Sequence, residues 1–160
     1  MKTIKVFFPV LMAALVAISF NSCSSDDPTD LIVGTWEYTG ASADVQTVDG
    51  NISQEIKDFF DEVIEDIDVE IYTFNEDGTC ITKSGGETIQ GYYKIKGGMI
   101  YFAETKSGLD AADCESNSIV LNKNDLSISM EMHEDAMAFW GMELGTEFKK
   151  AVLNMNFKRK

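Results

Sequence analysis

The sequence predicts a mainly β chain: an eight-stranded antiparallel up-and-down barrel, with an amphipathic helix between strands one and two and a further helix before the last strand. Three observations predict it. Eight short runs rich in β-branched and aromatic residues alternate apolar and polar side chains with period two. Tight-turn signals join most of them, among them Asp77-Gly78, Gly97-Gly98 and the Asn-Lys-Asn-Asp run at 122–125. One stretch between the first two runs switches to the helical period. Consecutive strands joined by short turns form a meander, and closing eight of them into a barrel removes the exposed edges.

Residues 31–39 are the first strand, with Ile32, Gly34, Trp36 and Tyr38 on one face, and 40–49 is a polar connection. Ile56, Phe59, Phe60, Val63, Ile64 and Ile67 then recur at helical spacing as one apolar stripe, while Lys57, Asp58, Asp61, Glu62, Glu65 and Asp66 cover the other faces. Asn51 is the expected cap, with Gln54 as its capping-box partner. The apolar face is expected to plug one end of the barrel. Three hairpins follow: 69–74 with 79–83, 88–95 with 99–103, and 118–121 with 126–132. In the last strand of these, Leu126, Ile128, Met130 and Met132 alternate with Ser127, Ser129 and Glu131, the pattern of a half-buried strand. Residues 135–150 read as a helix carrying Met137, Trp140, Leu144 and Phe148, although Gly141 and Gly145 each weaken it by about 1 kcal/mol. The final strand, 152–158, places Leu153, Met155 and Phe157 on one face.

Composition narrows the function. The 160 residues carry 13 Lys and Arg against 27 Asp and Glu, a formal charge of −14. Nucleic-acid phosphates and anionic lipid would repel such a chain, so no nucleic acid is expected as a partner. A hydrophobic content of 44% excludes wholesale disorder. No metal or cofactor is expected. The chain has one His, no acidic run has the spacing of a calcium loop, and no glycine-rich phosphate loop precedes a helix. No catalytic set is visible either: His133 precedes Glu134 and Asp135, but no Ser or Cys motif stands at a recognisable spacing, so an enzyme is not expected.

Residues 1–22 have the order of a secretory signal. Lys2 and Lys5 form a basic start, and an apolar run follows that is too short to span a bilayer and is interrupted by Pro9. Cys23 comes next, just after Ser22. The stretch thereby resembles the signal of bacterial lipoproteins, whose mature chain begins at a lipid-modified cysteine. Phe20 stands where that pattern usually has Leu, a position that Bacteroidetes lipoproteins relax. The resemblance implies an acyl (palmitate-type) anchor on Cys23 and an outer-membrane lipoprotein, periplasmic or surface-exposed. Residues 23–30 are then an acidic tether, similar to the surface-export signal of the same group, and 31–160 the domain. Ordinary secretion with an incidental cysteine is the alternative. Losing the signal makes the chain more acidic still, because Lys2 and Lys5 leave with it and no acid does. With Cys23 lipidated, Cys80 and Cys114 remain. Paired, they would close a loop of about 34 residues, worth roughly 3–4 kcal/mol in the chain-entropy model; the other reading is two free thiols.

Over most of 31–160 the chain resembles the lipocalin-like lipoproteins of Bacteroidetes. Gly34-Thr35-Trp36 is similar to their Gly-x-Trp signature. Phe74-Asn75-Glu76-Asp77-Gly78-Thr79 and Gly91-Tyr92-Tyr93-Lys94-Ile95 with Gly97-Gly98-Met99-Ile100 resemble successive hairpins. Phe157-Lys158-Arg159 resembles the last strand, where an Arg lies over the Trp. The resemblance implies that Trp36 and Arg159 close one end of the barrel. The helix after strand one departs from the pattern, since lipocalins carry theirs after strand eight. Inward candidates are Trp36, Tyr38, Tyr72, Phe74, Tyr93, Ile95, Met130, Met132, Met155 and Phe157. They make either an aromatic, Met-rich cup for a small apolar ligand or a packed core with no ligand. The expected partners are a membrane, through the anchor on Cys23, and that ligand; no protein partner is indicated.

Overall fold

A computed structural model of the chain describes residues 27–111, 114 and 116–160. The predicted signal at 1–22, Cys23 and the first part of the tether lie outside the described residues. A short helix α1 (Pro28–Ile32) leads into β1 (Gly34–Thr47), followed by α2 (Gln54–Glu65), β2 (Val69–Phe74), β3 (Thr79–Ser84), β4 (Glu87–Lys96) and β5 (Met99–Ala103). A 3₁₀ turn (Lys106–Asp110) precedes β6 (Ser116–Leu121) and β7 (Asp125–Glu131); α3 (Glu134–Glu143) and β8 (Phe148–Arg159) end the chain. The eight strands form a closed antiparallel barrel in sequence order, β1 pairing with both β2 and β8.

β1 is longer than its alternation suggests. It does not end at Thr39 but runs on to Thr47 through the segment expected to be a polar connection. The cause is a bulge: Tyr38 faces Phe157 and Gly40 faces Asn156, so Thr39 is an extra residue. It shifts the inward set from Trp36 and Tyr38 to Ala41, Ala43 and Val45, which face Met155, Leu153 and Ala151 on β8.

The barrel has two unlike ends. At one end lie the start of β1, the turns after β2, β4 and β6, and the end of β8. Here α1 crosses to touch β4 and β6, and its Ile32 is fully buried in the barrel core. The plug is thus Ile32, expected in the first strand, while the predicted tether contributes the exposed first turn of the same helix. Trp36 Nε1 donates to the Ile32 carbonyl at 2.7 Å. Arg159 lies over the Trp36 ring, 4.4 Å from its centre, and donates to the carbonyls of Lys123 (2.7 Å), Val33 (2.8 Å) and Leu31. Gly34 is extended with φ +136°, and a Cβ there would stand 2.6 Å from Arg159 Nη1, so the glycine of the Gly-x-Trp stretch makes room for the guanidinium.

The expected plug, α2, does something else. Its Ile56 and Phe60 join Ala151 in a second buried cluster, with Ala43, Val45, Phe148, Met137 and Leu144 against it. The helix therefore packs against α3 and the part of the β1–β8 ribbon that outruns the barrel. Only Ile67, past the helix end, reaches the barrel core. Ser53 rather than Asn51 caps α2, accepting from Ile56 N at 3.2 Å, and Gln54 bonds Asp58 instead of closing a capping box. α3 is shorter than expected: Gly145 takes φ +60°, and Thr146 N returns to the Gly141 carbonyl at 2.9 Å. Phe148, expected on the helix, begins β8 but still joins the same cluster.

Candidate functional site: the open barrel mouth

Inward side chains lose burial in step along the strands, from the plugged end toward the other. Trp36 is buried and Tyr38 half-buried; Phe74 is buried and Tyr72 half-buried; Ile100 is buried and Phe102 half-buried. On β4 the series runs from Tyr93, 4% exposed, to Ile89, 55% exposed; on β7 from Ile128, 1%, to Met130, 37%. Below this level the barrel is filled. Above it, Tyr38, Tyr72, Phe102, Ile89, Met130 and Leu153 ring an open mouth.

Tyr72 stands at the boundary. Its ring stacks on Phe74 and Phe102 at 5.6 and 5.8 Å and meets Phe157 edge-on at 5.2 Å. Phe157 in turn meets Tyr38 at 5.7 Å, and Phe74 meets Tyr93 at 4.9 Å. Burial pushes the Tyr72 phenol up to about 12, with the Cys80 thiol beside it adding to the effect. Burial also raises Tyr38 and Tyr93, and Tyr93 donates its hydroxyl hydrogen to the Asn75 carbonyl at 2.9 Å. The mouth thus offers neutral aromatic surface. Its rim is mainly acidic: Glu70, Glu87 and Glu131 are exposed at the mouth ends of β2, β4 and β7, with Lys83 exposed on β3 between them.

The ten inward candidates do not form one cup. Trp36, Phe74, Tyr93, Met155 and Phe157 belong to the packed lower core with Ile95 against them, Tyr38 and Tyr72 to its upper boundary, and Met130 to the rim. Met132 lies outside the barrel, in the cluster with α2 and α3, because β7 ends at Glu131. Phe102, Ile89 and Leu153 complete the ring. Their signal is parity, since Phe102 shares a face with Ile100, Ile89 with Tyr93, and Leu153 with Met155 and Phe157.

Two clefts flank the barrel. One of about 480 Å³ opens where β1 and β2 part, between Tyr38 and the 67–71 segment. The other, about 700 Å³, lies between α3 and 145–149, with Met137, Ala138, Gly141, Met142 and Phe148 on its walls. Phe139 and Met142 of α3 are exposed, at 54% and 78%.

Of the two readings of Cys80 and Cys114, the disulfide is not formed. Cys80 is a free, buried thiol on the inner face of β3, opposite Gly91. Cys114 Sγ instead donates to the Phe102 carbonyl on β5 at 3.4 Å, and β4 stands between the two strands. His133 is exposed and occupies the cap position of α3, where its carbonyl accepts from Met137 N at 3.0 Å. Among the described residues no group of three or more His, Cys, Asp or Glu is placed to hold a metal ion, and no helix is long and apolar enough to cross a membrane. Compared with known families, with curated proteins and with solved structures, the chain matches none.

Proposed function

We propose that the chain is a lipocalin-like lipoprotein, anchored in the outer membrane through an acyl group on Cys23, that binds a small apolar ligand in the upper barrel and performs no catalysis. The anchor rests on the order of residues 1–23. The ligand rests on one observation: the aromatic and Met-lined inner face opens to solvent at one end while the other is plugged and locked. An apolar body is held by ring faces and by Met130, which adapts its shape. The acidic rim and the neutral Tyr72 phenol favour a ligand without a carboxylate.

A second reading, a filled barrel that works as an interaction lipoprotein, draws on exposed Phe139 and Met142 of α3. Native mass spectrometry of the full chain purified under mild conditions, with titration of a neutral solvatochromic dye, separates the two. A retained small-molecule mass, and saturable dye uptake lost in the rim variants Ile89→Asp and Met130→Asp, support the ligand reading. No retained mass and no dye uptake sink it. Dye uptake lost instead in Phe139→Asp with Met142→Asp transfers the activity to α3.

A further inference from the structure

Although the barrel is closed, the join between β1 and β2 is short and leaves a seam. β1 is 14 residues long but pairs with β2 only from Gly34 to Glu37, opposite Phe74 to Ile71. Beyond that point β1 stays on β8 as far as Thr47, while Val69 and Glu70 of β2 have no partner on β1. Among the described residues no strand pairs with this second edge of β1. In an antiparallel strand, alternate backbone N–H and C=O groups point to each side, so the edge presents an unpaired ladder. The chain here is narrow, with Gly40, Ala41, Ser42 and Ala43 in succession, which lets another backbone come close. The cleft of about 480 Å³ lies at the start of this edge.

Its charge is one-sided. Glu37, Asp68 and Glu70 line the cleft and no Lys or Arg does. Glu37 pairs with Lys160 at 3.8 Å, whereas Asp68 and Glu70 make no ion pair among the described residues. Asp44, further along the edge, is exposed.

We propose that this seam is a peptide-binding site: an extended basic segment of a partner polypeptide adds to the free edge of β1 as an extra strand and sets Lys or Arg side chains against Asp68 and Glu70. Main-chain bonds supply the hold and the carboxylates the selection, the division of labour in strand addition. The proposal needs neither the barrel ligand nor the anchor, although the cleft shares Tyr38 and Glu70 with the barrel mouth.

Hydrogen exchange of the full chain, followed by mass spectrometry, tests it with two synthetic probes. One alternates Lys with Val over seven residues; the other replaces each Lys with Glu. The expected result is that the Lys peptide slows exchange at 38–46 by about tenfold or more, that the Glu peptide does not, and that Asp68→Asn with Glu70→Gln weakens binding of the Lys peptide by about tenfold or more while circular dichroism is unchanged. Protection confined to the acidic face of α2 would overturn the proposal, because the peptide would then be bound as a polycation alone. Equal protection by both peptides, or none by either, also overturns it. Protection of 38–46 that rises with protein concentration in the absence of peptide would make the occupant a second copy of the chain and reject the basic partner.

Discussion

Trp36 and Arg159 are cross-strand partners on β1 and β8, and the guanidinium sits 4.4 Å from the centre of the indole. The same Arg side chain donates to carbonyls before β1 and in the β6–β7 turn, so it ties both flanks of the plugged end to a ring at its centre. A flat, forked donor is required for all of these contacts at once.

Arg159→Lys keeps the charge and loses the fork. With the cation–π contact weakened and at least one carbonyl left without its donor, the loss is about 2–3 kcal/mol. Urea unfolding checks this: the midpoint falls while the slope is unchanged. A variant as stable as the parent would show that the latch contributes nothing.

Gly34→Ala is expected to cost as much from the opposite side. The new methyl meets Arg159 Nη1, and φ +136° is strained for any residue with a Cβ, so about 2–4 kcal/mol is lost. In the Arg159→Ala background the steric part of the cost disappears and only the backbone strain remains, which a double-mutant cycle measures.

Tyr72 gives a pH dependence with a definite sign. Its folded pKa, about 12, lies above the ordinary value of 10.0. Between these values the unfolded phenol loses its proton and the folded one keeps it, so stability is full below about pH 10 and falls as pH rises toward 12, by about 2–3 kcal/mol. Tyr72→Phe flattens that decline. Spectrophotometric titration of the folded protein should show several tyrosines ionising above the ordinary value, and the last of them should be missing in Tyr72→Phe.

Cys80 is predicted to be unreactive. Burial raises its pKa, which lowers the thiolate fraction, and the barrel wall blocks approach. Alkylation with iodoacetamide at pH 8, mapped by peptide mass spectrometry, should leave Cys80 unmodified until denaturant is added. Fast labelling in the native state would contradict the placement of this side chain.

Phe60→Ala separates the two buried clusters. Phe60 meets Phe59 at 5.2 Å, Phe148 at 6.0 Å and Trp140 at 6.4 Å. Its truncation should cost about 3–4 kcal/mol and shift the Trp140 emission toward that of exposed indole. The Trp36 signal, read in a Trp140→Phe background, should not move, because Trp36 lies in the barrel core.

Much of this architecture was legible because hairpin turns and strand parity are local. The three hairpins, the α2 stripe and the Trp36–Arg159 pairing all follow from spacing or from a short resemblance. What escaped was non-local. The bulge at Thr39 breaks the alternation by one residue, so β1 read as ending there, although Ala41, Ala43 and Val45 resume the pattern. α2 displays an apolar face, but sequence does not name the surface that receives it; the long β1–β8 ribbon, itself hidden by the bulge, was the missing partner. Leu31 and Ile32 read as strand, while Asp27 caps a helical turn with Pro28 at its start. For the site, parity found most of the inner face, but height along the barrel decides which inner residues are packed and which meet solvent. Height follows from strand stagger, which alternation does not encode.

The longest ladder in the molecule joins its first strand to its last. Strand β1 begins at Gly34 and its partner β8 ends at Arg159, so ring closure brings together segments separated by nearly the whole domain, a high-contact-order step with a large loop-closure entropy. The hairpins close short loops, but they cannot become a barrel until β8 joins β1. The ring therefore stays open until Phe148–Arg159 pairs along β1. The residue that latches the plug, Arg159, is the last of β8. Losing the Arg159 side chain removes the latch, because the Leu31 and Val33 carbonyls and the face of the Trp36 ring all meet that one guanidinium.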